Sequence, residues 1–121
     1  MKDSDMQRLE HMAAYCRDVA DAIATYGAGF DAYCANLHFR NSVCMSIMQI
    51  GELVGGLSAE FKISTNDRIM WPLIKGLRNI VVHNYKGLNH ETIWDIAINN
   101  IPSLLRFCEE MLTQNDTAIK E

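Results

Sequence analysis

Apolar residues recur every three to four positions through most of the chain, which is the spacing of amphipathic helices. The pattern predicts four main helices, over about residues 4–26, about residues 36–57, from Asn66 or Asp67 to about residue 84, and from Asn89 to about residue 111. Their predicted core-facing positions are Met6, Leu9, Ala13, Cys16, Ala20 and Ile23; Val43, Ile47, Ile50, Val54 and Leu57; Trp71, Ile74, Leu77 and Val81; and Ile93, Ala97, Ile101, Leu104, Cys108 and Met111.

The residues between these stripes predict how the helices connect. Residues 30–35 are expected to form a short helical turn, and Ser58 is expected to cap another over residues 59–62. Gly51 is costly inside a helix, so it indicates a close approach to a second helix. Pro102 predicts a kink in the last helix. Four helices with short connections favour an all-α, antiparallel up-and-down four-helix bundle with a short extra helical turn.

The length of 121 residues fits one domain, predicted to cover residues 1–113, followed by a flexible C-terminal tail over residues 114–121. No apolar run reaches the length of a membrane span, and no secretory signal opens the sequence, so we expect a cytoplasmic protein without a membrane. Four cysteines form no C-x-x-C pair and lack histidines at metal-ligand spacing, so we expect neither a metal nor a cofactor. A net charge of −4 argues against coating of nucleic acid by charge alone.

The third helix ends in a run of polar groups, within the segment "GLRNIVVHNYKGL". At 100° per residue, Asn79 and His83 lie one turn apart on one face of the helix. Arg78 is about 140° round from His83, although its long side chain can reach partway back. Tyr85 follows beyond the helix end. The partial negative charge at a helix C-terminus also favours a protonated imidazole. These groups are either a polar helix end or a small acid–base site.

An acid–base site of this composition suits RNA cleavage without a metal. Histidine titrates near neutrality and can take or give a proton, while the arginine fork matches phosphate oxygens. One histidine supplies one proton-transfer group. A two-fold homodimer that brings two such helix ends together would supply two, which is a physical reason to expect a dimer.

Three segments together resemble the HepT-like branch of the HEPN superfamily, small helical toxins encoded beside a minimal nucleotidyltransferase. "IGELVGGLS", at residues 50–58, is similar to that family's I-G-E-A and L-S segment. "WPLIKGLRNIVVHNY", at residues 71–85, is similar to its W-x-x-I-x-G-x-R-N-x-x-x-H-x-Y core, and "IWDIAINNIPSL", at residues 93–104, to its closing helix. The resemblance covers almost the whole chain.

The resemblance implies a toxin of a type VII toxin–antitoxin pair that acts as a metal-independent endoribonuclease. Arg78 and His83 match the catalytic pair, and Asn79 matches the polar residue that follows the arginine. Tyr85 matches the tyrosine that a partner nucleotidyltransferase antitoxin can adenylylate in such pairs. Adding AMP there would place a phosphate and a bulky nucleoside where RNA must bind. Asn84 departs from the family's usual aspartate, which removes one carboxylate near the imidazole.

Two further questions stay open at this stage. Glu52 is either buried against Arg78 or Asn79, where it would orient them, or a solvated residue of a helix face. The function has an alternative, a non-catalytic helical module that docks a nucleotidyltransferase and presents substrate or nucleotide to it. Trp71 and Trp94 are expected in packing rather than in base stacking. The remaining histidines, His11, His38 and His90, are assigned to the surface.

Overall fold

The computed structural model describes residues 1–84 and 89–120, and the side chains of these except residues 83, 84 and 116–120. This part of the chain is helical, with no strand. Its elements, in chain order, are α1 (Asp3–Tyr26), α2 (Phe30–Ala35), α3 (Leu37–Val54), α4 (Ala59–Thr65), α5 (Trp71–Asn84), α6 (His90–Asp95), a π-helical segment (Ile96–Asn100) and α7 (Ile101–Lys120). The predicted all-α bundle is confirmed, and the two short helices α2 and α4 lie at the predicted positions.

One hydrophobic core joins the long helices. The long helix α1 packs against α3 and α7, and α3 also packs against α5. The predicted stripes of α3 and α5 are buried throughout, and both tryptophans lie in the core. In α1 the prediction was wrong at Ala20, which is exposed, while Val19 and Ala22 are buried in its place. Alanine is small enough to stand on either face, so the apolar spacing alone did not decide between these positions.

The start of α5 differs from the prediction because of Pro72. The structure begins this helix at Trp71, whereas the sequence pattern suggested Asn66 or Asp67. Asn66 instead continues the turn that ends α4, where its backbone N–H donates to the Ile63 carbonyl. A helix begun earlier would place Pro72 in its interior, where the ring has no N–H for the helical hydrogen bond; in the first turn that loss costs nothing.

The last helix contains a π-helical segment where the sequence predicted a kink. Residues 96–100 precede Pro102, and the Ile101 N–H donates to the Ile96 carbonyl five residues earlier. Proline disfavours an α-helical bond to the carbonyl four residues before it, so a local change of helix type at this point is physically reasonable. Helical backbone continues to Lys120 and includes most of residues 114–121. The mobility predicted for that tail stays a prediction.

A buried carboxylate fixes the start of α4 to the start of α1. Asp5 is 1% exposed, and its two oxygens accept hydrogen bonds from the Ser58 backbone N–H, at 2.8 Å, and from the Ser58 hydroxyl, at 2.6 Å. The same hydroxyl accepts from the Phe61 N–H at 3.2 Å and so caps α4, as predicted. The charge of Asp5 is therefore buried with hydrogen-bond partners.

Candidate functional site

Arg78 lies at a close approach between α3 and α5, which Gly51 makes possible. A Cβ atom added at Gly51 would lie 2.8 Å from the Arg78 backbone nitrogen and 3.0 Å from the Arg78 Cβ. Such distances are shorter than real Cβ contacts, so only glycine fits here without movement. The predicted close helix approach at Gly51 is confirmed, and it places α3 directly beside the candidate arginine.

The residue after Gly51 holds the Arg78 guanidinium. Glu52 Oε1 forms an ion pair with Arg78 Nε, and Arg78 Nη1 donates to Asn79 Oδ1 at 3.3 Å. Both side chains of the ion pair are about half exposed, with 45% of Arg78 and 51% of Glu52 open to solvent. Glu52 therefore combines the two expectations, because it contacts Arg78 as an orienting residue would and yet remains on a solvated face. An exposed guanidinium of this kind is accessible to an anionic ligand.

The other candidate residues of this segment follow Arg78 toward the end of α5. The backbone of His83 belongs to α5, one helical turn after Asn79, and Asn84 is the last residue of the helix. The side chains of His83 and Asn84, and all of Tyr85, lie outside the described residues. The pairing of Arg78 with His83 and the role of Tyr85 therefore stay predictions.

An apolar hollow lies on the same two helices, next to the end of α5. It has a volume of about 450 Å³ and is lined by Asn41, Cys44, Met45, Met48, Val81 and Val82. Met45 is 52% exposed and Val82 is 41% exposed, so the hollow presents apolar surface to solvent. Val82 immediately precedes His83, so this surface adjoins the backbone position of the candidate histidine.

His90 was assigned to the surface, but the structure places it in a half-buried position, where its ring contacts the core. Its Nδ1 is 2.9 Å from the hydroxyl of Tyr33, a fully buried residue of α2, and its ring packs edge-on against the Tyr33 ring. Burial, and secondarily the charge of Arg40, lowers the pKa of His90 below its usual value. Periodicity could not reveal this contact, because the two residues are 57 positions apart. The bond attaches the start of α6 to α2.

The structure brings together no metal site among the residues it describes. No group of three or more histidine, cysteine or acidic side chains there is arranged to hold a metal ion. Cys16, Cys44 and Cys108 are buried, as predicted for core residues, and Cys34 is exposed. Burial raises the pKa of Cys16 and of Cys108 to about 12, which keeps both thiols protonated and unreactive.

Within the described ranges, no single helix has the length and hydropathy to cross a membrane. The bent pair of α3 and α4 meets those criteria only when both helices are counted together, across an angle of 108°.

Comparison with known protein families shows to which family this chain belongs. A sequence model of the family described as "Ribonuclease HepT-like" matches residues 12–111, which include Gly51, Glu52, Arg78 and His83. The chain belongs to the HepT-like ribonuclease family. The HepT-like domain thus extends from the middle of α1 into α7 and contains the whole candidate site.

Curated relatives agree with membership of the HepT-like family. The chain is 34% identical over 104 residues to "Putative RNase MJ0127" of Methanocaldococcus jannaschii, a match that covers 86% of this chain and 80% of the relative. It is 28% identical over 104 residues to "Putative RNase TTE0752" of Caldanaerobacter subterraneus subsp. tengcongensis, covering 86% and 90% of the two chains. No solved structure matches the chain significantly.

Proposed function

We propose that this HepT-like protein is the toxin of a type VII toxin–antitoxin pair and acts as a metal-independent endoribonuclease on cytoplasmic RNA. The observation that carries the proposal is the exposed guanidinium of Arg78, which Glu52 of α3 holds in an ion pair. Arg78 belongs to α5, and the last turn of the same helix contains His83. Family membership and the names of the relatives support ribonuclease function.

The proposed reaction uses charge and proton transfer without a metal ion. Arg78 exchanges its ion pair with Glu52 for the oxygens of the scissile phosphate, and the arginine fork neutralises the charge that develops there. His83 either accepts the proton of the attacking 2′-hydroxyl or donates a proton to the leaving 5′-oxygen. Asn79, which already accepts from Arg78, limits the directions that the guanidinium can take.

The proposed active form is a homodimer, because one chain supplies a single histidine to this site while the reaction needs a base and an acid. The apolar hollow beside His83 supports this form, since Met45 and Val82 expose apolar surface that a second copy would bury. In the dimer, the two α5 ends would share one cleft with two imidazoles and two guanidinium groups.

The partner in this proposal is a nucleotidyltransferase antitoxin that adenylylates Tyr85. The modification would introduce phosphate two residues after His83, where it would compete with RNA for Arg78 and occupy the space of a nucleotide. Incubation with ATP and the active antitoxin should then add AMP to the wild-type chain, detected by intact mass, and should leave Tyr85→Phe unmodified. Equal modification of both proteins would place the target elsewhere.

The ribonuclease proposal is tested by cleavage of RNA in the presence of a chelator, together with growth arrest on expression. Arg78→Ala and His83→Ala should each lower the cleavage rate by about 100-fold or more. Arg17→Ala is the matched control, because Arg17 is also about half exposed and paired with a glutamate, but belongs to α1 rather than to α3 or α5. Equal cleavage by wild type and both site variants, all folded and of the same oligomeric state, would refute the proposal.

A second candidate function is the non-catalytic module that docks a nucleotidyltransferase. The ion pair between Glu52 and Arg78 favours this alternative, since the guanidinium already has a carboxylate partner in the free chain. In that case the two alanine variants would leave background cleavage unchanged and would weaken binding of the nucleotidyltransferase. Binding of that enzyme, measured in parallel with cleavage, separates the two functions.

A further inference from the structure

An apolar groove runs between α4 and α5, on the N-terminal side of Arg78. It has a volume of about 600 Å³, and its lining includes Val54, Ile63, Ile69 and Met70. Ile63 and Met70 are each 69% exposed, the largest exposed fractions among the large apolar side chains that the structure describes. Large apolar residues on a rim of this kind mark interaction surfaces rather than ordinary solvated positions. We call this surface the α4–α5 groove.

Two lysines flank the α4–α5 groove, and its lining contains no carboxylate. These are Lys62 at the end of α4 and Lys75 in α5. Neither forms an ion pair with any side chain that the structure describes, although the chain as a whole carries a net charge of −4. By contrast, Lys2, Arg17, Arg68 and Arg78 are each paired with a glutamate. The groove therefore offers uncompensated positive charge beside exposed aliphatic surface.

The side chains of the groove suit a protein better than a nucleic acid. Bases bind proteins largely by stacking on exposed aromatic rings. The aromatic residue in this lining, Trp71, is 3% exposed, packs edge-on against Phe107 and donates from Nε1 to Thr65 Oγ1 at 2.9 Å. Its ring is therefore committed to the core. Exposed aliphatic residues flanked by two positively charged lysines instead complement an amphipathic helix whose apolar face is bordered by acidic residues.

We propose that the α4–α5 groove binds an amphipathic helix of a partner protein, whose apolar residues contact Ile63 and Met70 and whose carboxylates pair with Lys62 and Lys75. The proposal does not depend on ribonuclease activity. It does bear on that activity, because Lys75 precedes Arg78 by three residues and lies on a neighbouring position of the α5 surface. A partner seated in the groove stands beside the candidate catalytic arginine.

The test uses two synthetic helical peptides of about 15 residues in place of the partner protein. Both peptides carry the same stripe of leucines. The acidic peptide has glutamate at the positions that flank the stripe, and the basic peptide has lysine there. Titration is followed by fluorescence anisotropy and by NMR of isoleucine and methionine methyl groups. The acidic peptide should bind about tenfold tighter than the basic one and should shift the methyl signals of Ile63, Ile69 and Met70.

Substitutions then separate charge from apolar contact. The double variant Lys62→Glu and Lys75→Glu should reverse the preference and bind the basic peptide. Ile63→Ser combined with Met70→Ser should weaken the acidic peptide about tenfold. Ile98→Ser, which changes an exposed isoleucine of the π-helical segment, is the matched control and should change nothing. All variants alter exposed side chains except at Lys62, which is half-buried, and circular dichroism checks their fold.

Four outcomes would overturn the proposal. The first is equal affinity for the two peptides, and the second is no binding of the acidic peptide. The third is an oligouridine RNA that shifts the same methyl signals and displaces the peptide, which would assign the groove to nucleic acid. The fourth is a concentration-dependent shift of these signals without any peptide, which would assign it to a second copy of this chain.

Discussion

Replacing Gly51 with alanine tests whether the contact between α3 and α5 positions Arg78. Alanine favours a helix over glycine by about 1 kcal/mol, so without a clash the substitution would stabilise the protein. The added Cβ would lie 2.8 Å from the Arg78 nitrogen, whereas ordinary contact begins at 3.4 Å, so restoring an ordinary contact requires the helices to separate by about 0.6 Å. Overpacking of this kind costs about 1–3 kcal/mol. A displacement approaching 1 Å near catalytic groups can lower a rate by about 100-fold.

Gly76→Ala is the matched control for this substitution. Gly76 also lies within α5, and a Cβ atom there would have no neighbour within 4 Å. Both variants gain the same helix propensity, so the difference between them isolates the clash. Urea unfolding should place Gly51→Ala below Gly76→Ala by about 1–3 kcal/mol, which corresponds to a midpoint difference on the order of 1 M.

RNA cleavage by the same two variants tests the functional consequence. Gly51→Ala should lose much more activity than Gly76→Ala, under conditions where both are fully folded, because only the first moves the backbone that carries Arg78. Equal stability of the two variants would refute the packing argument. A large loss of stability in Gly51→Ala with unchanged cleavage would refute the claim that this contact positions the site.

Three further predictions follow from individual contacts. Glu52→Gln removes the charged partner of Arg78, so the KM for RNA should fall by about two- to fivefold. Glu109→Gln, which removes a similar exposed ion pair with Arg17, should leave this KM unchanged. A rise in KM for Glu52→Gln would show instead that the carboxylate assists RNA binding. Burial lowers the pKa of His90 in the folded state, so its contribution to stability is present above the unfolded pKa of about 6.5 and is lost as the pH falls through the folded pKa. Thermal unfolding between neutral and acidic pH should therefore depend less on pH in His90→Asn than in the wild type. An identical pH profile of the two proteins would contradict the lowered pKa of His90. Asp5→Ala leaves a serine N–H without its acceptor and should cost about 1–3 kcal/mol in urea unfolding, against a negligible change for the exposed Asp3→Ala.

The helices of this protein are largely readable from its sequence. Apolar spacing depends only on the helical repeat, and it identified the buried faces of α3 and α5 correctly. Local chemistry also located the cap at Ser58, whose hydroxyl accepts from the third residue beyond it. The errors occurred where local signals compete. Alanine, as at Ala20, is found on either face of a helix. The polar residues before Trp71 are typical of a helix start, but Pro72 favours a helix that begins at Trp71.

The candidate arginine and histidine were chosen from the sequence, by residue type, spacing and family resemblance. What surrounds Arg78 depends on the tertiary structure, because Gly51 and Glu52 reach it from another helix. The bond between His90 and Tyr33, and the cationic α4–α5 groove, likewise join residues from different elements. A helical repeat specifies the direction of each side chain along one helix, but only packing determines which helix it meets, how close the backbones come and which charges remain unpaired.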